Sequence, residues 1–414
     1  MIRNLICTTC FAVAAIAQPT PTPLPQLLEE AAHNNRDILA ALHGWRAAAQ
    51  VPTQVSTLPD PEVTVQQFSV GSPRPFAGFS NSDFAYIGIG ISQDLPYPGK
   101  LGLRGEVAQR DAAASRKQFE GAQRRIRAEV KAAYYQLSYL QRTLALIQRD
   151  GKLLDEIEKI AEARYRTGQG SQQDVLKSQL QRTQLLGELA HHHAAIEMTQ
   201  AKLNRLLNRP PDSPAITADE LTETSLPYTS QELLARVRTE NPAVELEQEM
   251  VRKQSLQVEL ARKDFYPDFN VQYMWQHTAG QFRDYYMLSF GAKIPLYRRR
   301  RLDPELTEAV EELDRSRRTY ESEVQQAYFE VRDQFIAADT AAQLLKIYRE
   351  GSIPQAMATY QAGLASYESG KQDFETLLSA FLDVLHYDEE YWKTLAGHEA
   401  ALARIERLTG VTLP

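Results

Sequence analysis

Tyr165-Arg166-Thr167-Gly168 recurs 202 residues later as Tyr367-Glu368-Ser369-Gly370. Outward from this pair, Leu95-Pro96 is matched by Ile294-Pro295 at an offset of 199. Further out, Pro61-Glu62-Val63-Thr64-Val65 is matched by Pro267-Asp268-Phe269-Asn270-Val271 at an offset of 206. The changing offset places short length differences in the connections. The chain is therefore a duplication, and each copy of about 200 residues holds a helix, two strands and a long helical hairpin.

The amino terminus is typical of a secretory signal over residues 1–17, with cleavage between Ala17 and Gln18 after a run of apolar and small residues. Both cysteines, Cys7 and Cys10, lie inside this segment. Cleavage would leave a chain without cysteine, which tolerates an oxidising periplasm but uses no disulfide. The formal net charge of −7 is a mild acidity that argues against a nucleic-acid partner.

The predicted organisation follows the duplication. Residues 18–26 are Pro-rich and predict an extended segment, and residues 213–229 predict a linker between the repeats. The first repeat, 27–212, is predicted to hold a helix over 27–49, strands at about 61–70 and 84–95, and a helical hairpin over 101–208. The second repeat, 230–410, is predicted to hold a helix, strands at about 267–277 and 285–295, and a hairpin over 302–409.

The strand segments alternate between apolar and small or polar residues. Ile87, Ile89 and Ile91 share one face, and Gly88 and Gly90 share the other. Such alternation usually indicates a half-buried soluble sheet, but export, a length suited to a tilted membrane crossing and aromatic residues near the strand ends favour an outer membrane. The candidate aromatic girdle at the membrane interface is Tyr86, Tyr97, Trp275, Tyr286 and Tyr297. Because lipid does not tolerate an open sheet edge, four spanning strands require several chains to pool their strands.

The remaining sequence predicts long helices. No proline interrupts residues 101–165, and apolar residues there recur at steps of three, four or seven. This spacing is typical of a coiled-coil seam, whose role is structural.

The signal, the duplicated halves, the paired strands and the long hairpins with Tyr-x-x-Gly turns together resemble the TolC family of outer-membrane efflux proteins. Local pieces of the resemblance are Asn35 and Asn241-Pro242 in the short helices, the strand ending Gln93–Lys100, and the two turns quoted above. The resemblance implies a mainly α-helical fold with a membrane β-barrel portion, in which a homotrimer forms a twelve-stranded barrel and a tunnel of twelve helices. It also implies an exit duct in the outer membrane of a Gram-negative bacterium, in contact with its lipid. Such a duct docks at its helical tips with a periplasmic adaptor and an inner-membrane transporter.

Carried over to this sequence, the resemblance places the adaptor-contacting tips at Tyr165, Gly168, Ser171, Tyr367 and Gly370. Glycine permits the sharp turn and a close approach by an adaptor helix. The alternative is that both glycines only terminate helices.

Family channels are often narrowed near the tip by a ring of carboxylates. The candidates here are Asp174, Asp373 and Glu375, but the position that matches Asp174 in the second repeat is Thr376. Repelling carboxylates around an axis can constrict a pore. An acidic residue at a helix start, favoured by the helix dipole, explains Asp174 equally well.

Two further runs consist of a single residue type, arginine in one and histidine in the other. Arg298–Arg301 follows the fourth strand and either meets anionic lipid head groups, lines the tunnel mouth or is simply solvated. His191–His193 suggests a metal, but successive helical residues point about 100° apart and do not converge on one ion. No metal site and no cofactor are predicted.

Two other functions compete with the efflux duct. One is the outer-membrane channel of a protein secretion system, and the other is a periplasmic coiled-coil adaptor or scaffold. The duplication and the strands argue against the adaptor. An enzyme is disfavoured because the sequence carries no nucleophile elbow, zinc-binding pair or Gly-rich phosphate loop.

Overall fold

The computed structural model describes residues 21–68, 85–278 and 283–413. The predicted signal and its cleavage site at Ala17 and Gln18 lie outside these residues. The helices are α1 (Leu24–Asn34), α2 (Arg36–Ala48), α3 (Val51–Ser56), α4 (Lys100–Arg166), α5 (Gln172–Leu207), α6 (Ser230–Glu240), α7 (Pro242–Lys263), α8 (Asp303–Ile347), α9 (Ile353–Glu368) and α10 (Phe374–Thr409). Two π-helical turns span Arg298–Leu302 and Tyr348–Ser352. The strands are β1 (Glu62–Phe68), β2 (Tyr86–Leu95), β3 (Asp268–Thr278) and β4 (Tyr285–Lys293).

The first helical segment differs from the prediction of one helix over 27–49. It is divided into α1 and α2 at Asn35, whose side chain accepts hydrogen bonds from the backbone N–H groups of Asp37 (3.0 Å) and Ile38 (3.2 Å). Asn241 caps α7 in the same way. An asparagine oxygen that satisfies two free amides at a helix start favours a break over a continuous helix.

The Pro-rich segment is also shorter than predicted, because α1 already begins at Leu24. Pro23 is the residue before the helix and Pro25 lies in its first turn. A helix start suits proline, since the N–H that it lacks has no partner there in any case.

The helical hairpins form long rods with buried seams. Helix α4 has 67 residues, about 100 Å at 1.5 Å per residue. Its seam packs against different partners along its length. Ile157 joins Phe381 in a cluster with α5, α9 and α10, and Ile126 joins Leu206 in a cluster with α1, α2 and α5. A third cluster, containing Val331 and Ile405, holds α6, α7, α8 and α10 together.

The outward rod of the second repeat is interrupted where the first is continuous. The π-helical turn Tyr348–Ser352 separates α8 from α9, and Pro354 lies in the first turn of α9. Proline lacks an N–H and its ring clashes with the preceding turn of an α-helix. A π-type turn absorbs this local mismatch while the rod continues.

The four strands form one antiparallel sheet in the order β1-β2-β3-β4. Register places Val65, Ile89, Trp275 and Tyr286 side by side on one face. Apolar residues on this face are largely exposed, including Val63, Val65, Ile91, Leu288 and Phe290. The opposite face carries small and polar residues such as Gly90, Gln272 and Ser289, together with Phe68, Tyr86 and Met274. The sheet thus turns its apolar side outward and leaves β1 and β4 as edges.

Among the helices of the described residues, none combines the length and apolar character that crossing a membrane would require.

Candidate functional site

The two helical turns at the far end of the rods are built on glycine. Gly168 has φ of 72° and Gly370 has φ of 76°. In both turns the glycine N–H donates to the carbonyl of the tyrosine three residues earlier, Tyr165 or Tyr367, at 3.0 Å. A residue with a Cβ is sterically strained at such a positive φ, whereas glycine is not. Glycine therefore closes these turns with the least conformational strain.

The residue after each turn caps the returning helix. Ser171 Oγ accepts from the backbone N–H of Asp174 (3.2 Å), and Asp373 Oδ1 accepts from the backbone N–H of Thr376 (2.8 Å). These pairs match at the offset of 202. The carboxylate therefore sits on the third helical residue in one repeat and on the cap in the other, which explains why the acidic residues are displaced between repeats.

Arg164 joins the two turns to each other. Its guanidinium donates to the carbonyl oxygens of Gln169 (3.0 Å) in its own turn and of Tyr367 in the other. It also lies over the Tyr367 ring, 4.7 Å from the centroid, a cation–π arrangement. A Cβ built on Gly370 would be 3.4 Å from an Arg164 nitrogen. The tips of the two hairpins are thus a single unit, held by a residue that sequence reasoning missed.

The two tip tyrosines are not equivalent. Tyr165 is 48 % exposed, whereas Tyr367 is 2 % exposed. The Tyr367 hydroxyl donates to Asp174 Oδ2 (3.3 Å). Burial, followed by the nearby Asp174 carboxylate, raises the pKa of Tyr367 to about 12. Tyr165 is therefore open to solvent, while Tyr367 packs inside the tip.

Each candidate acidic residue has a partner within the chain. Asp174 accepts from Ser171 Oγ (2.7 Å) as well as from Tyr367, and Glu375 pairs with Lys177 (2.8 Å). The backbone N–H of Thr376 lowers the pKa of Asp373. These contacts organise the tip of one chain, and the constriction role of the three carboxylates stays a proposal.

The girdle candidates separate into different environments. Trp275 and Tyr286 are neighbours in register on the outward apolar face. Tyr86 lies on the opposite face, stacked on Phe68 at 5.7 Å, so it does not share the face that the girdle requires. The sequence already indicates this placement, because strand alternation puts Tyr86 on the same face as Gly88 and Gly90 and not with Ile87, Ile89 and Ile91.

The other two girdle candidates lie beyond the strand ends. Tyr97 stacks on Tyr266 at 4.5 Å, and Tyr297 is 77 % exposed.

The histidine run does not converge. His192 Nε2 lies 4.0 Å from Glu389 Oε1 across the α5–α10 contact. Within the described residues, no group of three or more potential metal ligands comes together. The pKa of Glu188, one turn before His192, is raised by burial and then by Glu389.

A buried ion pair at the sheet's helical end was not predicted. Lys100 Nζ lies 2.9 Å from Asp268 Oδ1 and 3.1 Å from Asp264 Oδ1, with the lysine side chain 3 % exposed. The backbone N–H of Tyr97 also donates to Asp268 Oδ1 (2.8 Å). Lys100 begins α4 and Asp268 begins β3, so the pair fastens the end of the β2–β3 seam to the helical rod.

Most of the chain matches the model of a known protein family. The family model described as outer membrane efflux protein matches residues 27–209 and 233–411. The chain belongs to this family. No curated protein sequence matches the chain.

Solved structures of TolC-like channels have the same fold. The outer-membrane channel OprN superposes with a TM-score of 0.82 at 18 % identity, covering 94 % of this chain and 89 % of its own. VceC of Vibrio cholerae gives 0.80 at 18 % identity, covering 94 % and 96 %. The Campylobacter jejuni CmeC outer membrane channel gives 0.79 at 14 % identity, covering 94 % and 85 %. The chain therefore adopts a TolC-like fold over nearly its whole length.

Proposed function

We propose that the chain is the outer-membrane exit duct of a tripartite efflux pump, and that it conducts substrate passively without an enzymatic step. The observation that carries the proposal is a four-stranded sheet with an exposed apolar face and two open edges, set at one end of long helical rods. Membership of the outer membrane efflux protein family supports this function.

The exposed apolar face supports a lipid contact. Val63, Val65, Leu288 and Phe290 are between 53 % and 76 % exposed on the same face of the sheet. Apolar side chains in such a contiguous patch are unfavourable in water and favourable against acyl chains. We place this face against the outer-membrane lipid, with Trp275 and Tyr286 toward one interface.

The open edges support pooling of strands by several copies. An edge strand in lipid leaves its N–H and C=O groups without partners, and closure of the sheet removes that cost. Three copies arranged by cyclic symmetry would close twelve strands into one barrel, with β4 of each copy beside β1 of the next. The rods beneath would then form the walls of a periplasmic tunnel.

The opposite end of the rods supports a docking role. Gly168 and Gly370 keep the turns narrow, and Tyr165 stands exposed beside them. We propose that these turns meet a periplasmic adaptor, which links the duct to an inner-membrane transporter. The carboxylates Asp174, Asp373 and Glu375 lie just inside the turns, where three copies would bring them around the axis.

A complementation experiment tests this function. In a strain deleted for the gene, we expect loss of efflux of the cognate pump's substrate and recovery with the wild-type chain. Tyr165→Ala should reach the outer membrane as an assembled duct but restore efflux poorly, because the adaptor contact is weakened. Normal efflux without the chain, together with recovery of the protein in the soluble periplasmic fraction, would overturn the proposal.

A further inference from the structure

The seam between β2 and β3 shows how the two repeats meet within one chain. At its helical end, the buried Lys100 Nζ lies 2.9 Å from Asp268 Oδ1. The strands run antiparallel from there, with Leu95 opposite Phe269. The carboxylate also accepts the Tyr97 N–H, so one aspartate satisfies both a cation and a free backbone donor where the ladder ends. This arrangement is a template for any equivalent seam.

The duplication names the equivalent residues at the outer edges. The offset of 199 carries Lys100 onto Arg299, and the offset of 206 carries Asp268 onto Glu62. Arg299 follows β4 and Glu62 begins β1, so these residues lie at opposite edges of the sheet and do not meet within one chain. In the duplication, β4 corresponds to β2 and β1 corresponds to β3. The seam equivalent to β2–β3 would therefore join β4 of one copy to β1 of another.

Both residues are available for such a contact. Arg299 and Glu62 are exposed, and neither makes an ion pair within the part of the chain that the structure describes. The neighbouring Arg298 and Arg300 are exposed and unpaired in the same residues, whereas Arg301 faces Glu305 at 3.8 Å. This arginine run lies beside an open strand edge, where a carboxylate of an adjacent copy would meet it.

We propose that Arg299 of one copy pairs with Glu62 of the adjacent copy and fastens the β4–β1 seam between subunits. The contact repeats in each seam of the closed assembly and reproduces the Lys100–Asp268 pair. Asp60, exposed two residues before Glu62, adds a second carboxylate near the arginine run, as Asp264 does for Lys100. This inference rests on the proposed trimer and adds the residues that select the neighbouring edge.

The faces of the strands agree with the pairing. By the same offsets, the Leu95–Phe269 pair becomes Ile294 opposite Val63, and the Gln93–Val271 pair becomes Ala292 opposite Val65. Val63 and Val65 lie on the outward apolar face with Phe290, two residues from Ala292. A register shifted by one residue would turn one strand's apolar side into the barrel, so this face matching restricts the possible seams.

Charge reversal and exchange test the pair. Glu62→Arg and Arg299→Glu each place like charges in every seam, and the double variant restores opposite charges with the sign exchanged. An exposed ion pair contributes up to about 1 kcal/mol, which is roughly fivefold in an association constant. Three such pairs, one in each seam, therefore change the association constant of the trimer by on the order of 100-fold. We expect each single variant to dissociate far more readily in mild detergent at low salt, and the double variant to recover. Arg315→Glu is the matched control, because Arg315 pairs with Glu312 inside α8.

A cysteine pair covers the case in which the reversed variants do not assemble. Val63→Cys with Ile294→Cys places thiols on directly opposed residues of the proposed seam, at a spacing that suits a disulfide. We expect trimers that are covalently linked in SDS until they are reduced, and no linkage with either single cysteine.

The outcomes separate this inference from the proposed function. A wild-type monomer overturns both. A wild-type trimer that tolerates both reversals and gives no cysteine linkage overturns the seam pairing alone. Dissociation by Arg299→Glu that the exchange does not rescue, together with loss of binding to vesicles containing phosphatidylglycerol, would assign the arginine run to anionic lipid and contradict the pair.

Discussion

At the scale of single residues, the helical tip is stabilised by Arg164. Its guanidinium holds carbonyl oxygens in both turns and covers the Tyr367 ring. Lysine cannot reproduce this contact, because a single ammonium lacks the planar fork that reaches two carbonyls and stacks on a ring. The residue thus links the two turns at this end of the rods.

Removal of this side chain should loosen both turns. Arg164→Ala gives up charge-assisted hydrogen bonds worth about 1–2 kcal/mol at a partly exposed site, which corresponds to roughly tenfold faster local opening. Hydrogen exchange of the amides at 167–171 and 369–373 measures the change. Arg166→Ala is the control, since Arg166 is exposed and its ion pair is with Glu162, one turn away in the same helix. Equal exchange in the two variants would contradict the bridging role.

Tyr367 gives the tip a pH dependence at high pH. Its phenol has a pKa of about 12 against an ordinary value of 10.0, so the folded state favours the neutral form. The associated stability is complete below pH 10.0 and is lost as the pH rises toward about 12. Tyr367→Phe should therefore lose less helix between these pH values than the wild type, measured by circular dichroism. The other buried tyrosines are present in both proteins. An identical loss of helix with rising pH in the wild type and in Tyr367→Phe would therefore contradict the role of Tyr367.

Residue roles were partly predictable. The duplicated Tyr-x-x-Gly turns placed Gly168 and Gly370 at the tips without structural information. Arg164 carried no such signal, because the matching position in the second repeat is Ser366 and its partner is 203 residues away. Long-range bonds of this kind depend on the packing of two rods and leave no local pattern.

At the scale of elements, the turns and rods respond differently to the same substitution. Gly168→Ala and Gly370→Ala force a side chain into the left-handed region, at a cost of roughly 1–2 kcal/mol each. Gly187 lies inside α5 with open space around it, so Gly187→Ala should stabilise the rod by up to about 1 kcal/mol. Thermal unfolding followed by circular dichroism compares the three. A stabilising effect at either tip glycine would contradict the positive φ.

Element types were predicted better than element ends. The apolar spacing predicted the α4 seam, and the alternation around Ile89 predicted the exposed apolar strand face. The break at Asn35 was missed, because an asparagine in an apolar repeat is compatible with either a solvated side chain or a cap. The sequence also did not predict the π-helical turn before Pro354. A helix can accommodate the missing N–H of a proline by a kink, a break or a wider turn, and the sequence does not say which.

At the scale of the whole molecule, the sheet and the rods differ in how they bury apolar surface. One face of the sheet exposes apolar side chains and β1 and β4 form its edges, while the rods bury their seams internally. In the proposed trimer, each seam between copies would repeat the β2–β3 seam already present within the chain. Closure of the sheet and formation of the tunnel are therefore expected to be a single event.

The most direct test is the mass and location of the protein extracted from outer membranes in mild detergent. We expect a trimer of about 140 kDa, three times the 46.8 kDa chain less any cleaved leader, that fractionates with the outer membrane and dissociates on heating. A monomer or dimer in the soluble periplasmic fraction would contradict it.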